Sequence, residues 1–294
     1  LPSLASIVAA APLPSGAEPL PDAIAPSPRL AGAASIFASG LQQPRGIAVG
    51  ADGRVYVAES GAGKVTVFTP DGQIAARLPA VAAVYGEPTD VALDAQHLYV
   101  LDAGESQLWR IPLDGSDATR VSIDAELAGR ARGLAVGADG RLWVAATPGG
   151  LVAGFDPQSG ETVRLPVSSG SELGQPSDVL TTADGLIYAT DTTNNTLVRM
   201  GASGRIERSW SVPRANSVDG PHLASDLFGN LYMTDPEGGR VERRDRAGEA
   251  AGVWELNTLL NQPVKSVGLA AGPDGRIWVT DSQGGSVIVI EPQE

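Results

Sequence analysis

The chain has 294 residues, a net charge of −13, a pI near 4.6, and no cysteine. The acid excess excludes a nucleic-acid partner, because phosphate binding needs a basic patch. The missing thiols exclude disulfides, thiolate metal sites and cysteine nucleophiles.

In chain order, the first 33 residues stand apart. LPSLASIVAAAPLPSGAEPLPDAIAPSPRLAGA carries seven prolines and reads as an extended, partly polyproline arm. Its apolar beads Leu4, Ile7, Val8, Leu13, Leu20 and Ile24, with Leu30 beyond them, are spaced between prolines like anchors for a groove. At about 3.1 Å per residue the arm reaches on the order of 100 Å, enough to contact a neighbouring subunit or partner. Wrapping its own domain is the alternative. The chain opens on Leu1 with an apolar stretch and no basic region before it, the pattern expected of a mature exported protein, extracellular or periplasmic. No apolar run reaches the roughly 18 residues of a membrane span.

From Ala34 to Glu294 a single unit recurs. GIAVGADGRVYVAES (Gly46–Ser60) returns as GLAVGADGRLWVAAT and GLAAGPDGRIWVTDS, and more loosely three further times. Aligned on Gly46, Asp90, Gly133, Asp178, His222 and Gly268, the copies are spaced by 44, 43, 45, 44 and 46 residues. Each reads as four short strands joined by Asp-Gly or similar turns, which accommodate the positive φ of tight hairpins. A period near 44 with four strands per unit predicts an all-β, six-bladed propeller of four-stranded antiparallel blades. The sixth unit ends after three strands. The stretch ASIFASGLQQP (Ala34–Pro44) has the form of a missing last strand, so the N-terminal strand is expected to complete the last blade and leave no free edge. This divides the chain into an arm, 1–33, and a propeller, 34–294.

Within each unit the pattern Pro44-x-Gly46-Ile47, Asp52-Gly53, Tyr56 and Glu59 resembles the NHL-repeat family. Later copies carry Pro88/Asp90/Tyr99/Asp102, Pro176/Asp178/Tyr188/Asp191, Pro221/Tyr232/Asp235 and Trp278/Asp281. The resemblance implies a propeller and is silent on ligand. It also brings in relatives of two enzymatic kinds, histidine-using lyases and cation-dependent lactonases.

The acid closing each second strand (Glu59, Asp102, Asp191, Asp235, Asp281, broken by Ala146) suits a carboxylate that accepts loop N–H groups. A cation ring is the sharper alternative. Trp109, Trp143, Trp210, Trp254 and Trp278 fall in strands and read as packing between blades. His97 falls at a hairpin tip, and Asn194-Asn195-Thr196 is a formal glycosylation sequon.

Where the first strands converge, the residues that differ between blades are Arg45, Asp90, Arg132, Asp178, His222 and Lys265. Arg45, Asp90, Arg132, Asp178 and His222 are the candidate ligand-binding set at the channel mouth. Carboxylate plus imidazole in Asp90, Asp178 and His222 suits a divalent cation or a general base. The alternative is a wet tunnel in which the acids pair with Arg45 and Arg132. No nucleophile elbow, phosphate loop or EF-hand loop is present, so no catalytic residue is assigned and no cofactor is required. The leading expectation is a non-enzymatic, exported protein-binding or assembly module, self-associating through its arm. A metal-assisted lyase or lactonase with its site at the channel mouth is one alternative. The extracellular sensor domain of a larger membrane protein is another.

Overall fold

A computed structural model describes residues 27–78, 85–124, 127, 131–147, 150–165, 173–201, 203–215 and 219–293. Leu4, Ile7, Val8, Leu13, Leu20 and Ile24 of the arm lie outside them.

The repeat builds six four-stranded antiparallel sheets. After β1 (Gly32–Ser39), blade one comprises β2 (Pro44–Val49), β3 (Val55–Glu59), β4 (Lys64–Phe68) and β5 (Ile74–Leu78). Blade two comprises β6 (Pro88–Leu93), β7 (His97–Asp102), β8 (Gln107–Pro112) and β9 (Thr119–Val121). Blade three comprises β10 (Ala131–Val136), β11 (Leu142–Ala146), β12 (Leu151–Phe155) and β13 (Thr162–Arg164). Blade four comprises β14 (Pro176–Thr181), β15 (Ile187–Asp191), β16 (Thr196–Met200) and β17 (Ile206–Ser211). Blade five comprises β18 (Leu223–Ser225), β19 (Leu231–Asp235), β20 (Arg240–Arg244) and β21 (Ala250–Glu255), followed by one turn of helix, α1 (Leu256–Leu259). Blade six contributes β22 (Ser266–Ala271), β23 (Ile277–Asp281) and β24 (Ser286–Pro292).

The fourth strand of blade six is β1, which pairs antiparallel with β24 from Gly32↔Pro292 to Ser39↔Ser286. The expected N-terminal closure is therefore present. A bulge between Ile36 and Ala38 turns Phe37 toward the rest of blade six and blade one. Its ring meets Trp278 edge-on at 4.7 Å and Phe68 at 5.9 Å. This aromatic wedge joins the first blade to the last.

The core lies between blades, as period-2 strands demand when both sheet faces are covered. Tyr56, Ala58 and Val65 of blade one pack on Val91, Leu98 and Val100 of blade two. Ile47, Val57 and Phe68 pack on Trp278, Val287 and Val289 of blade six. Trp143, Trp254 and Trp278 are buried in such interfaces, and Trp109 and Trp210 lie at their margins.

The acids that close the second strands hold two loops, the one that enters the first strand and the one that leaves the second. Asp102 accepts the N–H groups of Gly86 (2.9 Å) and Glu87 (2.8 Å) on the way into blade two and that of Glu105 (3.3 Å) after β7. Asp191 does the same with Gly174, Gln175 and Thr193, and Asp281 with Lys265 and Gly284. Glu59 takes Gln42 N–H, and Asp235 takes Gly238 N–H. In blade three, where Ala146 lacks the acid, the Thr147 hydroxyl donates instead to the Pro176 carbonyl. Each of these carboxylates accepts loop N–H groups, the first of the two readings given for them.

Before β1, the described end of the arm lies on its own propeller. Leu30 N–H donates to Val253 O (2.8 Å), Val253 N–H donates to Pro28 O (2.9 Å), and Trp254 Nε1 donates to Ala31 O (3.1 Å). Among the described residues no helix is long and apolar enough to cross a membrane.

Candidate channel site

The innermost strands β2, β6, β10, β14, β18 and β22 surround a central channel. At the ring position the sequence offers Gly46, Asp90, Gly133, Asp178, His222 and Gly268. The glycines are there to make room. A Cβ on Gly46 would lie 2.2 Å from Asp90 Oδ1, and one on Gly133 would lie 2.1 Å from Asp178 Oδ1. Each Asp thus fills the gap left by the preceding blade.

Each Asp also reaches forward. Asp90 Oδ1 accepts its neighbour Val91 N–H (2.8 Å), and its Oδ2 accepts Leu134 N–H of blade three (2.7 Å). Asp178 Oδ2 accepts Leu223 N–H of blade five (2.6 Å). His222 Nδ1 stands 3.6 Å from Asp178 Oδ2. One ligand atom from each of Asp90, Asp178 and His222 can be chosen so that all lie within 4.8 Å of one another, and all three residues are buried. A cavity of about 260 Å³ adjoins them, walled by aliphatic residues such as Ile47, Leu93, Val136, Leu180 and Leu269.

Burial sets the protonation states. It raises the Asp90 carboxyl to about 7, partly opposed by the Leu134 and Val91 N–H groups. It raises Asp178 well above the usual carboxylate range, helped by the nearby Asp90 charge. Burial lowers His222 to about 4, with Arg45 lowering it further and Asp219 opposing. At neutral pH the imidazole is neutral, so one of its two nitrogens offers a lone pair to a proton or a metal. An Asp tuned near 7 is matched to general-base work.

The expected partners of the acids are corrected. Arg45 does not pair with Asp90 or Asp178: its Nη1 lies 3.3 Å from Asp219 Oδ1 and its Nε donates to Ser60 Oγ at 3.2 Å. Lys265 also bonds Asp219, so two cations, from blades one and six, gather around one carboxylate of blade five. Arg132 is half-buried and donates from Nη1 to Ala131 O, 3.3 Å away. The acids are bridged by backbone amides of the next blade instead, because a β-strand presents its N–H at the reach of a short Asp side chain. Asp219 was not singled out from sequence; its Asp-Gly context reads as an ordinary turn. His97, at the first position of β7, is tied to Asp94 at 3.2 Å and takes no part in the channel.

A second feature stands apart from the channel. The hairpin between β18 and β19 carries Leu227 and Phe228, 87% and 82% exposed, while no other large hydrophobic among the described residues exceeds 48%. Blades one, three, four and six place Ala-Asp or Pro-Asp at this tip, and blade two places Ala95-Gln96 after Asp94. Here the turn acid is moved back to Asp226, which accepts N–H from Phe228 and Asn230, both at 2.9 Å, and the Tyr232 hydroxyl at 2.8 Å. Grooves of about 760 Å³ and 530 Å³ flank the knuckle toward blades six and four.

Solved propellers are similar in fold. A selenomethionine-substituted virginiamycin B lyase from Staphylococcus aureus shares 13% identity with a TM-score of 0.68, over 90% of this chain and 100% of that one. A gluconolactonase from Xanthomonas campestris shares 17% identity with a TM-score of 0.70, over 92% and 96%. A nidogen/laminin complex shares 17% with a TM-score of 0.62, over 74% and 81%. At these identities the likeness shows the fold alone. No curated protein matches the chain in sequence. One family does match, across residues 30–255, and the chain therefore belongs to it: PQQ_2, described as outer membrane protein assembly factor BamB.

Proposed function

We propose that the protein is an exported propeller, of the periplasm or cell exterior, that works as a protein-binding or assembly module. The observation that carries this reading is the Leu227–Phe228 knuckle. Two large apolar side chains held in water by a rigid hairpin cost free energy unless a partner covers them, about 1.5–3 kcal/mol for each. The family description, an assembly factor of the outer membrane, supports the same class of role. So does a nidogen/laminin complex among the similar folds. The NHL-type signature adds a scaffold on which blade-tip loops do the binding. The N-terminal arm continues this role by contacting a subunit or partner from the outer edge of blade five, where its described end is docked. The test is the double variant Leu227→Ser/Phe228→Ser, assayed by pull-down of the partner that co-purifies from native envelopes. Loss of that partner with an unchanged unfolding curve supports the reading, and retention of the partner refutes it.

A second reading is favoured by the channel. Asp90, Asp178 and His222 converge beside a cavity, and a lyase and a gluconolactonase share the fold. On this reading the protein is a metal-assisted lyase or lactonase, with Asp90, Asp178 and His222 at its site. Turnover of a lactone panel that disappears in Asp90→Asn would support it.

A further inference from the structure

We infer that Asp90, Asp178 and His222 bind one divalent transition-metal ion, of the zinc or manganese class, linking blades two, four and five across the channel. The inference deepens the second reading above, resting on the same cluster, but it requires no turnover.

Ligand atoms mutually within 4.8 Å close around an ion at about 2.0–2.2 Å from each after small side-chain rotations. His222 is 6% exposed, and its Nδ1 stands 3.6 Å from Asp178 Oδ2, a carboxylate oxygen that is itself oriented by the Leu223 backbone amide. Carboxylates oriented by backbone amides beside an imidazole are an arrangement that supports bound metal.

An imidazole selects first-row transition metals over calcium and magnesium, which prefer all-oxygen shells. The neighbouring ring positions Gly46 and Gly133 offer no donor and no room for one. Protein therefore supplies three ligands. The remaining positions open onto the cavity of about 260 Å³, which makes the ion accessible to water or a small ligand.

The test uses the full chain, stripped with chelator and titrated calorimetrically with zinc, manganese and calcium in turn. The expected result is uptake of one equivalent of zinc or manganese, a higher Tm with the ion, and weaker calcium binding. Asp178→Asn and His222→Ala should each weaken uptake at least tenfold, and cobalt should give a visible spectrum in the native protein alone. Asp178→Asn keeps an acceptor for Leu223 N–H, so it is the variant that decides if His222→Ala does not fold. No saturable uptake, or equal uptake by the variants, overturns the inference. Lactone turnover is followed on the same samples. Turnover without uptake would end the inference and leave an enzyme that works without the ion, whereas uptake without turnover would keep the metal site and end the enzymatic reading.

Discussion

At the residue scale the channel acids act as bridges between blades. Asp178→Ala removes the acceptor of a buried Leu223 N–H, and such an orphan costs about 1–3 kcal/mol. Asp178→Asn retains an acceptor and resembles the protonated acid that burial favours. In metal-free buffer, urea unfolding should show Ala clearly destabilised and Asn close to native; equal losses would refute the bridging role. Asp226 makes the complementary prediction for pH. Burial raises its pKa, but the bonds from Asn230, Tyr232 and the Phe228 amide win, and the net shift is downward. A depressed carboxyl contributes stability above its ordinary value, and that contribution is lost as pH falls through the folded value. The stability difference between native protein and Asp226→Ala should therefore shrink as pH drops below about 4, read by thermal unfolding across pH 3–7. A difference that grew toward acid would contradict the assignment.

At the scale of elements, much was legible in sequence and some was not. The period near 44 residues, the Asp-Gly turns and the missing fourth strand of unit six were enough to place β1 beside β24, because a ring tolerates only one closure. The second-strand acids were legible as backbone acceptors, since a carboxylate that obeys a repeat serves the scaffold. The cross-blade reach of Asp90 and Asp178 was hidden, because it depends on which backbone amide faces the side chain after the ring closes. The knuckle left a trace, Leu-Phe where four other units carry Ala-Asp or Pro-Asp before the turn glycine, but one irregular hairpin in a loose copy reads as drift. Closure yields its own prediction. Deleting residues 1–26 should leave cooperative unfolding unchanged, whereas deleting through Ser39 removes Phe37 from its contacts with Trp278 and Phe68 and exposes the β24 edge. The longer deletion should lower Tm by more than 10 °C, roughly 2–4 °C per kcal/mol lost, or yield aggregate. Two indistinguishable melting curves would mean that β1 does not close the ring.

The whole molecule is a ring whose repeated parts hold the fold, and the proposed sites fall where the repeat is broken. Blade five holds three of those departures: His222 in the channel, Asp219 at its rim, and Leu227–Phe228 at the opposite hairpin end. The most direct measurement is photocrosslinking in the native envelope from a photoreactive residue placed at Phe228, with the exposed turn position Gln158 as control. The account predicts a discrete crosslinked protein from position 228 that is absent from 158. No product from 228, or the same products from both positions, would contradict it.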